Sequence, residues 1–498
     1  MKLYYVGHEY LYASEQIMLV LFPDERPEYP APGEAFPPPD GTPAARIKLS
    51  RKTKYVTAVT DIVRPEGSGR GTARLMLPEN AEKAVRDRLS QRVLKLSFYR
   101  AAVASGVKPP VWGSLTGVRP GKLMEPMLEA GVSRKAAVRS MQKDFFVARE
   151  RAELCADAAT EGIRIRKMLD KKDAALYIGI PFCPTRCAYC SFVSQSVSRS
   201  LHQIEPFTEA LLREIAATGQ AVSRANLRVR AVYMGGGTPT TLDPDQLARV
   251  LGAVHESFDL SHSEELTVEA GRPDTISSRK LAVLRDMGVT RLSINPQTMS
   301  DEVLAAIGRR HSADEVLRAF ELARAAGDWA INMDLIAGLP NDTVDGFKRS
   351  LDIVTALGAE DVTVHTLALK RGSRITLEGT RIPSGEEVGE MLDYTAAKLR
   401  AAGYEPYYMY RQKFSSGGYE NVGWRQHGGG SFYNVVMMEE LCHIIAMGGA
   451  GSTKLIMPSG KIERQFNPKY PTEYLRDIDS VIAKKENIVT ICGEKAEG

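Results

Sequence analysis

Between Leu176 and Leu369 short apolar runs alternate six times with amphipathic stretches. The runs occupy residues 175–182, 229–236, 265–271, 291–297, 330–338 and 361–369. Each has the length of a strand, and the segments between them repeat apolar residues at three- and four-residue steps, the period of a helix. Strands separated by helices form a parallel sheet with crossover connections rather than hairpins. Six such units predict an α/β fold, a partial (β/α)6 barrel open on one side. Glycine, proline or polar residues follow nearly every run, and in such sheets ligands sit at the carboxyl ends of the strands.

A chain of 498 residues exceeds what one core organises, and the pattern divides it in three. Residues 1–170 read as an accessory domain, a small β unit followed by helices. Its first 22 or so residues read as strand, and residues 23–43 carry eight prolines and read as an extended loop. Residues 54–63 read as a second strand, and 78–168 as helices, with Ser133 as an N-cap. Residues 171–402 are the barrel. Residues 403–498 read as an α+β extension near the open face, beside the substrate pocket. Within it 404–414 is strand-like, 433–449 reads as helix, and 448–453 (GGAGST) reads as a helix-ending turn.

Apolar content of 43% and charged content of 25% are ordinary for a globular chain. Sixty-five Lys and Arg against 61 Asp and Glu leave a net charge of +4, which does not signal nucleic acid. The apolar run 17–22 is far shorter than the ~20 residues of a membrane span. The first residues lack the apolar core of a signal peptide, so a cytoplasmic location is expected.

Three of the six cysteines fall within eight residues, in IPFCPTRCAYCSF. Cys183, Cys187 and Cys190 follow a C-x3-C-x2-C spacing, directly after the first barrel strand. Structural zinc takes four protein ligands, usually from paired C-x2-C loops, and a second pair is absent. Three thiolates suit a [4Fe–4S] cluster that keeps one iron free for a small molecule. Cys155, Cys442 and Cys492 stand alone and read as buried small residues.

With this loop the chain resembles the radical S-adenosylmethionine superfamily. The segment Tyr177 through Cys183 resembles the Tyr-Ile-x-Ile-Pro-Phe-Cys strand of the oxygen-independent coproporphyrinogen III oxidase group. LTGVRPGKL at 115–123 and YRQK at 410–413 resemble its HemZ-type coproporphyrinogen dehydrogenase branch. The resemblance implies a radical-SAM barrel with two cofactors, a [4Fe–4S] cluster and S-adenosyl-L-methionine, which together give a 5′-deoxyadenosyl radical. It implies that the turn Gly235, Gly236, Gly237 and Thr238 meets the methionine moiety. Glu269, Gln297, Arg309 and Asp334 are implied as further contacts, and Tyr177 and Tyr189 as residues ordering the ligands or the adenine. Glu269 stands in Glu-Ala-Gly-Arg-Pro, where the family reads Glu-x-Asn-Pro. A buried Asp334 needs a partner, which Arg309 or a ribose can supply.

The resemblance also implies a substrate, coproporphyrinogen III or a related tetrapyrrole, converted to protoporphyrinogen IX by oxidative decarboxylation of two propionates, with flavodoxin or ferredoxin as electron donor. Arginine forks suit its carboxylates, and Arg291, Arg310, Arg371 and Arg411 are candidates. The aromatic stretch Tyr404–Tyr410 can line an apolar pocket. The Pro-Arg-Tyr-Thr-type segment that opens the better-known oxidases is missing. Two alternatives stay open: a haem-binding chaperone using His365 or His443 as axial ligand, and another radical reaction such as tetrapyrrole methyl transfer.

Overall fold

A computed structural model of the chain describes residues 1–37, 41–52, 54–190, 195–368, 381–413 and 415–493. It divides into two compact units, Met1–Ala156 with Gly417–Tyr419, and Asp157–Ser416 with Glu420–Gly498.

The first unit is built on a four-stranded sheet of β1 (Lys2–Val6), β2 (Ala44–Arg51), β3 (Tyr55–Val63) and β4 (Gly69–Met76), in that order. β1 and β2 are parallel and the other pairs antiparallel. Helix Lys83–Ala104 lays Val93, Leu94 and Phe98 on Ile47, Val56 and Ala58 in one core. The expected strand over the first 22 residues ends at Val6, because Leu11–Leu21 is a helix. Ala13, Ile17, Met18 and Leu21 are buried at helical spacing, and that periodicity outweighs the apolar run's strand character. Ser133 caps helix Arg134–Phe145 by accepting from the Ala136 N–H.

The second unit holds the six expected strands as parallel neighbours: β5 (Asp173–Ile180), β8 (Arg228–Gly236), β9 (Glu265–Glu269), β10 (Arg291–Ser293), β11 (Ala330–Ala337) and β12 (Asp361–Thr366). Two short strands, β6 (Phe182–Cys183) and β7 (Gln195–Ser196), bracket the cysteine loop. Helices lie between successive barrel strands, and Asp243, Ser277, Ser312 and Thr343 cap four of them. β5 and β8 are almost wholly buried, as strands covered on both faces must be.

The C-terminal segment joins this sheet at both edges. β13 (Glu405–Arg411) and β14 (Glu420–Arg425) continue it antiparallel beyond β12. β15 (His443–Gly448) pairs parallel with β5, and β16 (Ser452–Ile456) and β17 (Ile462–Phe466) follow. The edge strands β13 and β17 do not pair with each other, so the eleven-stranded sheet stays an open, partial barrel. Residues 433–449 are not one helix. Helix Phe432–Glu439 ends where Glu440 turns left-handed (φ +51°), and the β-branched pair Ile444 and Ile445 then enters β15. GGAGST accordingly turns from strand β15 to strand β16 and ends no helix. Among the described residues no helix is long and apolar enough to cross a membrane.

Candidate active site

A cavity of about 370 Å³ sits at the carboxyl ends of the barrel strands. One wall is the cysteine loop: Cys183, Cys187, Cys190 and Tyr189 all line it. Backbone bonds hold the loop in place. Gly237 N donates to Ile180 O at 2.7 Å, Thr238 N to Phe182 O at 2.7 Å, and Ala188 N to Ile307 O at 2.9 Å. Thr238 Oγ1 donates to Cys183 Sγ at 3.6 Å. The Arg272 guanidinium reaches Cys187 Sγ at 3.8 Å and Thr185 Oγ1 at 3.0 Å, and Arg309 also stands beside the Cys187 thiol.

The facing wall is polar. Gly236 adopts φ +106°, a conformation that favours glycine. A Cβ on Gly235 would stand 2.8 Å from Glu269 Cδ. Glu269 ends β9, and its Oε1 accepts from the Tyr233 hydroxyl at 2.6 Å. Burial pushes the Glu269 carboxyl up to about 7, and the neighbouring Asp334 adds to the rise. Gln297 is held at φ +69° between two backbone bonds, its N–H to Asp334 O and its carbonyl from Ile336 N. A non-glycine residue there is strained, and strain of this kind gathers at functional sites.

The structure places Thr238, Gly236, Gly237, Glu269, Gln297, Arg309 and Asp334 on this cavity, and sets Gly235 and Tyr177 behind it. The Tyr177 ring stacks on Tyr233 and Tyr433, and its hydroxyl lies near the Gly236 turn. Arg309 donates to Asn295 O at 2.5 Å and to the Tyr189 hydroxyl at 3.3 Å. It is not the partner of Asp334. That carboxylate accepts from Asn332 Nδ2 at 2.7 Å and lies 3.7 Å from His365 Nε2.

The three described arginines among those expected at the barrel mouth do not line the cavity. Arg291 sits at the amino end of β10, buried with Asp361 at 2.6 Å and Glu265 at 3.6 Å. Arg310 is exposed and off the cavity wall, and Arg411 is buried and off it as well. Arg371 lies outside the described residues. Tyr408 and Tyr410 line the cavity, whereas Tyr404 and Tyr407 are buried in the core. His365 lines the cavity; His443 is buried on β15, its Nδ1 accepting from Ile456 N at 3.1 Å.

Several cavity residues had no sequence signal of their own. Asn332 Nδ2 also donates to Ser293 Oγ at 2.8 Å, and Thr363 Oγ1 donates to Asn332 Oδ1 at 2.9 Å. This chain crosses β10, β11 and β12 and orients Asp334. A polar residue recurring inside three apolar runs was the available clue. Arg272 was visible only as a departure from the family's turn.

Comparison with known proteins bears on this geometry. A family model described as the Radical SAM superfamily matches residues 177–354. The oxygen-independent coproporphyrinogen-III oxidase-like protein HemZ of Bacillus subtilis is 36% identical over 434 residues, 86% of this chain and 86% of its own. Heme chaperone HemW of the same organism is 34% identical over 258 residues, 49% of this chain and 64% of its own. Among solved structures, coproporphyrinogen III oxidase HemN from Escherichia coli shares the fold at a TM-score of 0.50 and 23% identity, over 65% of this chain and 72% of its own.

The cofactors are a [4Fe–4S] cluster and S-adenosylmethionine. Three thiols line one cavity wall, with a hydroxyl on Cys183 and guanidinium groups at Cys187. Hydrogen-bond donors of this kind suit thiolate ligands. Among the described residues no three His, Cys, Asp or Glu are drawn to a single ion. By sequence over most of its length and by fold, the chain belongs to the radical S-adenosylmethionine superfamily, in the group of HemZ, HemN and HemW.

Proposed function

We propose that the protein carries out the anaerobic oxidative decarboxylation of coproporphyrinogen III to protoporphyrinogen IX. The observation that carries this reading is the meeting, in one cavity, of the cysteine loop with the wall of Gly236, Glu269, Gln297, Arg309 and Asp334, in a chain 36% identical to HemZ. When bound, the two cofactors supply a 5′-deoxyadenosyl radical for hydrogen abstraction.

The chain's part is to bind and orient. The Gly235–Thr238 turn would hold the methionine moiety against its backbone, and the absence of a side chain at Gly235 leaves Glu269 its place on the wall. The Glu269 carboxylate accepts from the amino group or a ribose hydroxyl. Asp334, held by Asn332, does the same for the ribose, and Gln297 and Arg309 complete the contacts. Tyr189 would border the adenine, and Tyr177 supports the glycine turn from behind. The substrate propionate loses one hydrogen atom, carbon dioxide and one electron to leave a vinyl group. The electron passes to a one-electron acceptor, and a flavodoxin or ferredoxin supplies the electron that reduces the cluster. A reducing compartment such as the cytoplasm suits this chemistry.

The test is anaerobic incubation of reduced, reconstituted protein with S-adenosylmethionine and coproporphyrinogen III, followed by mass. Two successive losses of formic-acid mass, together with 5′-deoxyadenosine, are expected. 5′-Deoxyadenosine with an unchanged porphyrin would keep the radical reading, tetrapyrrole methyl transfer included, and remove this substrate.

A second reading rests on His365. It is the histidine on the cavity wall, beside Asp334 and with the Tyr410 hydroxyl 3.4 Å from its Nδ1, and the chaperone HemW is a relative. A haem chaperone would bind haem through that imidazole and make neither product, and His365→Ala would abolish the haem absorbance.

A further inference from the structure

Arg272 follows β9 by three residues, in the Glu-Ala-Gly-Arg-Pro turn, and only 4% of it is exposed. Its guanidinium has three sets of partners. Nε and Nη2 meet the Asp274 carboxylate at 3.2 and 3.3 Å. Nη2 donates to Thr185 Oγ1 at 3.0 Å, and Nη1 to Thr185 O at 3.4 Å. Nη1 also points at Cys187 Sγ, 3.8 Å away.

A buried cation is costly unless anions surround it. Asp274 is one anion, at the edge of the site and 30% exposed. The other faces of the guanidinium meet a hydroxyl, a carbonyl and a thiol. A neutral donor would hold Thr185 equally well, so ordering the loop does not by itself call for an arginine. The positive charge is accounted for once Cys187 is a thiolate carrying the charge of a metal cluster.

We infer that Arg272 is a positioning residue that donates to the Cys187 ligand and raises the reduction potential of the cluster. The inference rests on the three-cysteine cluster assignment above. Reduction adds one electron to the cluster, and neither a proton nor a bond changes. The added negative charge falls within reach of a fixed cation, which therefore stabilises the reduced form more than the oxidised one. Hydrogen bonds to the cluster sulfurs and local net charge are the levers by which a protein sets such potentials.

The experiment is a redox titration of reconstituted parent, Arg272→Gln and Arg272→Lys, followed by electron paramagnetic resonance. It uses titanium(III) citrate as reductant and omits S-adenosylmethionine. Glutamine removes the charge. Lysine keeps it but cannot span Asp274, Thr185 and Cys187 together. The expected result is a midpoint displaced negatively in Arg272→Gln by about tenfold in the reduction equilibrium, about 59 mV for one electron. Arg272→Lys is expected between this variant and the parent. A purely structural role would lower iron content or melting temperature and leave the midpoint of loaded protein where it was. An unchanged midpoint in Arg272→Gln overturns the inference. Where that variant takes up no cluster, the neutral Arg272→Met decides, and a midpoint equal to the parent's overturns the inference. A parent that takes up no iron and sulfide removes the cluster assignment and the inference with it, whereas a loaded parent with unshifted variants removes the inference alone.

Discussion

Tyr233 and Glu269 are joined across β8 and β9 by a 2.6 Å hydrogen bond from the tyrosine hydroxyl to Oε1. Burial disfavours the charge on this carboxyl, with Asp334 nearby, while the Tyr233 hydroxyl and the Gly236 N–H favour it. The balance leaves the group half-ionised near pH 7. Its folded-state value lies above the ordinary 4.5. Its contribution to stability is therefore fully present below about pH 4.5 and is lost as pH rises through about 7.

Ligand binding runs the other way. On the proposed contact with S-adenosylmethionine, the carboxylate is the competent form. Affinity then tightens about tenfold from pH 6 to pH 8, following the ionised fraction of a group near 7. Tyr233→Phe removes a bond that favours the charge and moves this profile to higher pH. Glu269→Gln flattens it. Equilibrium binding of S-adenosylmethionine at five or six pH values measures all three, and a profile unchanged by Glu269→Gln would show that the carboxylate is not the contact.

Gly235→Ala tests the same wall sterically. The new Cβ would stand 2.8 Å from both Glu269 Cδ and Tyr233 Cε1, so the carboxylate must swing off the tyrosine. Loss of one charge-assisted hydrogen bond predicts about tenfold weaker S-adenosylmethionine binding. Iron and sulfide content should stay at the parent level, because the backbone bonds from this turn to the segment leading into the cysteine loop come from Gly237 and Thr238. Isothermal titration beside iron analysis separates the two effects.

The barrel was legible because its strands and helices have different periods, and the cysteine loop because three thiols in eight residues have few other uses. What the sequence hid was direction. Arg291 and Ser293 share one three-residue strand, yet Arg291 is buried with Glu265 and Asp361 below the cavity while Ser293 lines it. Linear position tells the mouth of the barrel from its base only where the ends of a strand are known. The helix Leu11–Leu21 was hidden for a related reason, since six apolar residues in a row fit either period. Asn332 lay inside an apolar run, and its role appeared only when β10 and β12 were seen on either side of it.

Arg291 holds two buried carboxylates, Glu265 and Asp361. Burial pushes both Glu265 and Asp361 upward, and the Arg291 cation opposes that rise. Arg291→Met strands two buried carboxyls and should destabilise the protein by about 3–5 kcal/mol near neutral pH. The deficit should shrink as pH falls and the carboxyls take up protons. Affinity for S-adenosylmethionine should be unchanged. Urea denaturation at pH 5.5 and pH 7.5 measures the first effect, and a binding titration the second. Weakened binding with intact stability would return Arg291 to the cavity.

The C-terminal segment is tied through Glu214, which is fully buried, to helix Val197–Arg224, the helix that follows the cysteine loop. Its carboxylate accepts from Gly448 N at 2.8 Å, Asn467 Nδ2 at 2.8 Å and the Tyr474 hydroxyl at 2.5 Å, and it pairs with Lys485 Nζ at 2.6 Å. Gly448 ends β15 beside Gly179 of β5, and Gly449 N donates to Gly179 O at 3.0 Å, just before Pro181 and the first cysteine. Glu214→Gln leaves the buried Lys485 without its carboxylate, an expected cost of about 3–5 kcal/mol and, in a unit of this size, a fall of roughly 4–7 °C in melting temperature. Because β15 flanks the strand that leads into the loop, faster loss of cluster absorbance in air should accompany it. The double variant Glu214→Gln with Lys485→Met removes the stranded charge and should recover part of the melting temperature. Recovery of stability without recovery of cluster lifetime would show that the Gly448 contact, rather than the ion pair, steadies the loop. If the single variant melts and holds its cluster as the parent does, Glu214 does not steady the loop.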